Sequence, residues 1–436
     1  MDLCNFGIAL VVYDGIYAYN IWRLLTNSSY EVRCISEAES GPGPCKPGSD
    51  TIRVKVVDYA LSVSSSAAAP KQISYRQKKS LLESYVKGLQ RQMDKVQTQV
   101  AAVVIMACNR ADYFERTIKS VLKYQNAVAS KYPLFVSQDG SDPQVRKKAL
   151  SYDQLTYMQH LNSKPVQTER PGELIAYYKI ASHYKWALDE LFYKHKFSRV
   201  IILEDDMEIA PDFFDYFEAA AALMEKDKTI MTVSSWNDNG LKQFVHDPEI
   251  LYRSDFFPGL GWMLTKSTWN ELSPKWPKAY PYGLQENHKG RQFIRPEVCR
   301  TYNFGEHGSS LGQFFRQYLE PIKLNDVQVD WKSKDFSYLM EDEYIKHFAA
   351  ILKNAKPIYG ADAVLKASNV QGDVRVQYKD QPDFERIAQQ FGVFQEWKDG
   401  VPRTAYKGVV VFRYPPPRRV FLVGPKSFEL LGIKGA

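Results

Sequence analysis

The sequence predicts an α/β protein whose main domain is a parallel sheet flanked by helices. Three observations carry that expectation. Ala101–Cys108 and Val200–Leu203 are unbroken apolar runs of strand length, the pattern of strands covered on both faces. Helix-period stretches separate the runs, and strands that alternate with helices build parallel sheets. Finally, the strand ends hand over to charged residues at Arg110, Asp139 and Glu204-Asp205-Asp206. In open parallel sheets ligands bind in the crevice beyond the carboxyl ends of the strands. Function is therefore expected there.

Along the chain, Phe6–Leu25 is mostly apolar, but Asp14, Asn20 and Arg23 interrupt it. A spanning helix wants about 20 apolar residues, and a central Asp costs roughly 2.5–3.5 kcal/mol. Residues 1–35 thus read as a degenerate membrane anchor. Residues 36–99 read as a stem, with Gly41-Pro42-Gly43-Pro44 and the Ser64–Ala69 run as its flexible part. Within it, Leu82, Tyr85, Val86, Leu89, Met93 and Val96 recur at helical spacing, which predicts a helix or short coiled coil over 71–98. That segment holds seven Lys/Arg against Glu83 and Asp94, so most of the net charge of +7 lies in one solvated helix. A nucleic-acid binder needs a basic face on its folded domain, and the rest of the chain is near neutral.

From 100 to 319 the α/β domain is expected. After the first strand, Asp112-x-x-Glu115 resembles a capping box ahead of the stripe Ile118, Val121, Leu122. Pro133–Val136 is the second strand, ending in Ser137-Gln138-Asp139-Gly140. A helix over Ala176–Phe192 carries His183. Val200–Leu203 is the third strand, Phe213–Met224 a helix opened by Pro211, and Thr229–Val233 a fourth strand. Residues 320–436 read as a smaller α+β unit with strands at Val374–Tyr378, Gly408–Arg413 and Arg419–Val423 and a helix at Asp383–Phe391. The five cysteines are scattered and include no CxxC pair, which points to neither a disulfide framework nor a zinc site.

Glu204-Asp205-Asp206 is the strongest chemical signal. Adjacent carboxylates repel one another, and their oxygens suit Mg²⁺ or Mn²⁺, ions that keep open positions for substrate phosphates. The competing account is a solvated acidic turn before the next helix. Arg110 could pair with phosphate and Asp139 could accept from a base or ribose, although each alone is an ordinary loop residue. His183, on its residues alone, reads as a half-buried helix histidine. No G-x-x-x-x-G-K-[ST] and no strand-linked G-x-G-x-x-G occurs, so a metal rather than a Gly-rich cradle would hold phosphates. Gly308-Ser309-Ser310-Leu311-Gly312 matches the nucleophile elbow, with Asp326, Asp330 and His347 in hydrolase order. A serine hydrolase using Ser310 is therefore the rival class. The preceding Tyr302–His307 is a poor buried strand, and a Gly/Ser loop closing over a ligand fits the motif better.

At Glu204–Phe214, together with Val136–Gly140, Ser235–Gly240 and Phe257–Trp262, the sequence closely resembles the N-acetylglucosaminyltransferase I family, particularly its plant members. The resemblance covers about residues 100–436. It implies a GT-A (Rossmann-like) nucleotide-sugar fold in a type II Golgi membrane protein. It also implies inverting, Mn²⁺-dependent transfer of GlcNAc from UDP-GlcNAc to the α-1,3 arm of a Man5GlcNAc2 N-glycan. By matching position, Asp206 resembles the metal ligand, Glu204 and Asp205 face the sugar nucleotide, and Arg110, Asp139 and His183 contact UDP-GlcNAc. Ser310 falls where a loop closes on the donor. Two departures stand out. Residues 1–70 lack the family's short tail and clean anchor. Where the family carries a Trp-Asp-Asp-Trp segment with its catalytic base, this chain reads Pro281-Tyr282-Gly283-Leu284-Gln285. No catalytic base is assigned, and a donor-binding but catalytically impaired chain is the alternative.

Overall fold

The computed structural model describes residues 8–10, 30–35, 52–58, 84, 99–161, 166–279, 287–308, 312, 315–366 and 370–434. The chain divides into two compact units, Met1–Ser84 and Tyr85–Ala436.

In the first unit, β1 (Ile8–Leu10), β2 (Tyr30–Ile35) and β3 (Ile52–Asp58) form an antiparallel sheet with β3 in the centre. The sequence reading placed an apolar anchor and a flexible stem across these residues and foresaw no strand. Ile52-Arg53-Val54-Lys55-Val56 alternates apolar with charged at period two, which is the strand signal. Among the described residues no helix is long and apolar enough to cross a membrane. The helix expected over 71–98 lies outside the described residues, apart from Ser84.

In the second unit the chain forms β4 (Ala102–Ala107), β5 (Leu134–Asp139), β6 (Leu155–His160), β7 (Arg199–Glu204), β8 (Met207–Ile209), β9 (Ile230–Ser234), β10 (Leu251–Ser254), β11 (Trp262–Thr265), β12 (Gln292–Pro296) and β13 (Thr301–Asn303). Eight of these make one sheet in the order β10-β12-β9-β11-β7-β4-β5-β6, and β8 pairs with β13 outside it. The α/β class expected from the sequence is observed, with one difference. The sheet is mixed, because β11 runs antiparallel between β7 and β9 and β10 is an antiparallel edge. The chain enters β11 through Gly261 at φ +81°, where a Cβ would collide with Ser235 Oγ. The parallel half, β6-β5-β4-β7, pairs Met106 with Ser137 on one side and Glu204 on the other, so the carboxyl ends finish at one level.

Burial follows the pleat. Val103 and Ile105 of β4 face the helices Ala111–Gln125 and Phe213–Lys226, while Ala102, Val104 and Met106 face Ile175–Asp189. The capping box does not form. The first helix begins at Ala111 with Arg110 at its N-cap position, so Asp112 already lies inside the first turn. Glu115 turns instead to Lys119 and Lys148.

A second sheet contains β14 (Lys356–Pro357), β15 (Val374–Gln377), β18 (Val409–Arg413) and β19 (Arg419–Val423) in the order β14-β15-β19-β18. β16 (Trp397–Lys398) and β17 (Val401–Pro402) form a short hairpin. The C-terminal strands and the helix Gln381–Phe391 lie within a residue or two of their expected places. Val374, Val376, Val410 and Phe412 share a core with Trp236, Leu241 and Phe244.

A buried ion pair ties the start of the helix Phe213–Lys226 to the residue ahead of β13. Arg300 Nη2 donates to Asp212 Oδ2 at 3.0 Å, and neither side chain has exposed surface. Trp331 Nε1 and Asn325 Nδ2, each at 2.8 Å, satisfy the rest of the carboxylate. Asp212→Ala would leave a buried guanidinium unpaired, so a loss of about 3–5 kcal/mol is expected. Urea unfolding checks this, and an unchanged midpoint would contradict it.

Candidate active site at the carboxyl ends of the central strands

β4 and β7 end side by side, and their following residues meet. Arg110, directly after β4, donates from Nη2 to Asp205 Oδ1 and, at 2.8 Å, to Asp206 Oδ2. Its Nη1 donates to the His307 carbonyl at 2.8 Å. The guanidinium is half-buried and both carboxylates are almost fully enclosed. Burial alone would disfavour the Arg110 charge, but the two aspartates outweigh it and hold the group protonated. Burial raises the Asp205 carboxyl to about 6, with Arg110 opposing. Glu204 rises further, to about 7, through burial and the charge of Asp206, although Tyr184 donates to its Oε1 at 2.7 Å. The cation thus pairs with Asp205 and Asp206, and burial makes Glu204 and Asp205 costly to ionise.

Asp206 is shaped from a distance as well. β8 follows it immediately and pairs with β13, placing Asn303 opposite Met207. Asn303 Nδ2 donates to Asp206 Oδ1 at 2.9 Å, and Phe304 N donates to the Asp206 carbonyl at 2.9 Å. A Cβ on Gly305 would collide with Asp206 Oδ2, so the glycine keeps the space beside that oxygen open. On the other edge of β8, hydroxyls of the first helix replace a strand partner: Thr117 Oγ1 accepts from Met207 N and Ser120 Oγ from Ile209 N, each at 3.0 Å.

The second cluster is built on β5 and β6. Asp139 Oδ1 meets His160 Nδ1 at 2.8 Å, and the two residues are register partners across the strands. His183, only 5% exposed on the helix Ile175–Asp189, places Nε2 2.8 Å from Ser137 Oγ. The His160 and His183 rings stack at 5.6 Å and 13°. The two clusters adjoin, since the charges of both Asp139 and Asp205 act with desolvation to raise the Cys108 thiol.

The structure therefore gathers Arg110, Glu204, Asp205 and Asp206 in one cluster and Asp139 and His183 in its neighbour. Ser310 and the segment 281–285 lie outside the described residues. The hydrolase elbow lacks its setting. Among the described residues β13, ahead of the Gly/Ser segment, is a three-residue strand paired antiparallel with β8, whereas the elbow follows a parallel strand. Asp326 pairs with Lys323, and His347 is exposed on the helix Glu341–Asn354. Sequence reasoning missed His160, Tyr184, Asn303 and Gly305. The β6 run Leu155–His160 mixes polar and apolar residues, and Asn303 stands in a segment too polar to read as a strand.

The donor set fits a divalent cation. Asp206 offers hard carboxylate oxygens beside a glycine-kept space, and a cation there would have to displace Arg110 from Oδ2. No group of three or more His, Cys, Asp or Glu side chains arranged to hold a metal occurs among the described residues.

His183 makes the pH dependence testable. Burial lowers its pKa from the ordinary 6.5 to about 4. Below 6.5 the unfolded chain takes up a proton that the folded chain refuses, so stability is lost as pH falls from 6.5 towards 4. Between pH 7 and pH 5 this amounts to about 2 kcal/mol. Urea unfolding at both values should show that loss in the wild type and a loss smaller by this amount in His183→Gln. Equal losses would show that the ring does not stay neutral.

Comparison with known proteins gives a consistent answer. A profile of the GNT-I family matches residues 55–435. An Arabidopsis thaliana protein named alpha-1,3-mannosyl-glycoprotein 2-beta-N-acetylglucosaminyltransferase is 72% identical over 364 residues, 83% of this chain and 82% of that one. Among solved structures, the Pyrobaculum calidifontis mannosyltransferase PcManGT with GDP-Man and Mn²⁺ aligns at 18% identity and a TM-score of 0.30, over 45% of this chain and 55% of that one. S. aureus TarS with UDP-GlcNAc aligns at 12% and 0.30, over 67% and 71%. These structural alignments are loose, and the assignment rests on sequence. The chain belongs to the GNT-I family.

Proposed function

We propose that this chain is a Mn²⁺-dependent GT-A glycosyltransferase that moves GlcNAc from UDP-GlcNAc, with inversion, to the α-1,3-linked mannose of Man5GlcNAc2. Its proposed setting is the lumenal side of the Golgi membrane. The observation that carries the reading is the meeting of Arg110, Asp205 and Asp206 at the aligned ends of β4 and β7, in a chain 72% identical to a protein of that name. Asp206 would hold the cation, whose charge would offset that of the diphosphate and favour departure of UDP.

The chain's own groups have separable tasks. Arg110 is placed to pair with diphosphate oxygens, and it stands at the N-cap position of a 15-residue helix whose N-terminus adds to the attraction for anions. Asp205 and Glu204 present acceptors to sugar hydroxyls. Asp139 and His183 serve the nucleoside end of the donor, and Ser310 is proposed as a further donor-contacting residue.

To test this, UDP is titrated with and without Mn²⁺ into the wild type and Asp206→Ala. Metal should tighten binding to the wild type only; equal affinity in all four cases would overturn the reading. A specific sequence observation favours a second reading, a chain that binds donor but turns over poorly. Pro281–Gln285 holds no acid where the family carries its base. Replacing those residues with Trp-Asp-Asp-Trp should raise transfer to Man5GlcNAc2 by roughly 10²–10⁴-fold. No gain would show that this chain draws its base from elsewhere.

A further inference from the structure

We infer that His160 is a positioning residue for nucleotide recognition: through Nδ1–H it holds Oδ1 of Asp139 and turns Oδ2 towards a hydrogen-bond donor on the nucleoside. The inference rests on the proposed nucleotide-sugar reading and adds to it a residue that does not itself meet the reacting atoms.

The argument begins with acceptor chemistry. A carboxylate has no proton to give, so at Asp139 it selects for an N–H or O–H on its ligand. It discriminates only if its orientation is fixed, because a freely rotating carboxylate can present either oxygen at several angles. Here the rotation is stopped. The His160 ring is 2.8 Å from Oδ1, and both side chains are largely buried, at 10% and 18% exposure. The imidazole is itself immobilised, stacked on His183 at 5.6 Å and packed on Trp186 at 5.3 Å. Register places it opposite Asp139, and Gly140 N donates to the His160 carbonyl at 2.9 Å.

Neighbouring pairs brace the same strand end. Tyr157 donates to Gln138 Oε1 at 2.7 Å, and Gln159 Nε2 donates to the Gly140 carbonyl at 3.0 Å. The far end of β6 thus supplies one side-chain contact to each of Gln138, Asp139 and Gly140. Bonding to a carboxylate also selects the tautomer, with the proton on Nδ1 facing Asp139.

Two substitutions separate positioning from bulk. Asparagine carries an amide nitrogen close to where histidine carries Nδ1, whereas glutamine carries one nearer Nε2. Dissociation constants for UDP in Mn²⁺ are measured for the wild type, His160→Asn, His160→Gln, Asp139→Asn and the double variant His160→Gln/Asp139→Asn, with thermal melting as a check on folding. His160→Gln should weaken UDP roughly tenfold, His160→Asn should restore most of that, and the double variant should be no weaker than Asp139→Asn alone. CDP, which lacks the imide N–H of uracil, locates the contact. A His160→Gln loss confined to UDP assigns it to the base, and an equal loss for CDP assigns it to the ribose. Wild-type affinity in His160→Gln, or losses that simply add in the double variant, would overturn the inference. If the wild type itself fails to bind UDP, the nucleotide-sugar reading fails first, and the two failures are thereby distinguished.

Discussion

The constraint on which the site depends is one guanidinium shared between two neighbouring carboxylates. Arg110 emerges from β4, and Asp205 and Asp206 emerge from β7. The parallel register of those strands makes the encounter unavoidable. Without the cation, three consecutive acids at the end of a buried strand would face mutual repulsion and desolvation together. With it, the acids stay enclosed beside a positive group.

Around that pair the protein spends its polar contacts on orientation. β8 is too short to be stable alone, yet it is pinned on one edge by β13 and on the other by hydroxyls of the first helix. Its role is to set the direction in which Asp206 points. The same economy appears at β6, an edge strand whose side chains reach across to the end of β5. In both places a peripheral element stabilises the geometry of a residue at the end of a central strand. Placing functional groups on rigid strands and bracing them from the side is how small angular tolerances are kept.

The two histidines illustrate how a helix and a strand complete such a site together. His183 comes from the helix and contacts the interior of β5 at Ser137, while His160 comes from β6 and contacts its tip at Asp139. Stacking aligns the rings in a pocket where burial keeps His183 neutral. A neutral imidazole can both give and take a hydrogen bond, which suits the contact of His183 with the Ser137 hydroxyl.

Much of this could be read from residues alone. Apolar runs of strand length announced β4, β5, β7 and β9, because strands buried on both faces leave a continuous signal, and Glu204-Asp205-Asp206 after such a run announced the site. β6, β10 and β13 left no such trace, because polar residues interrupt their apolar ones, and the antiparallel turn of β11 depends on how Gly261 fits beneath Ser235. The local sequence by itself determined which residues end the central strands, since hydrophobic periodicity is a property of neighbours in the chain. Only the tertiary structure decided that Asp206 faces Asn303 and Gly305 and that Asp139 leans on His160. Those partners are brought together by strand register, and pairing between distant segments follows from the packing of the whole core rather than from any local pattern.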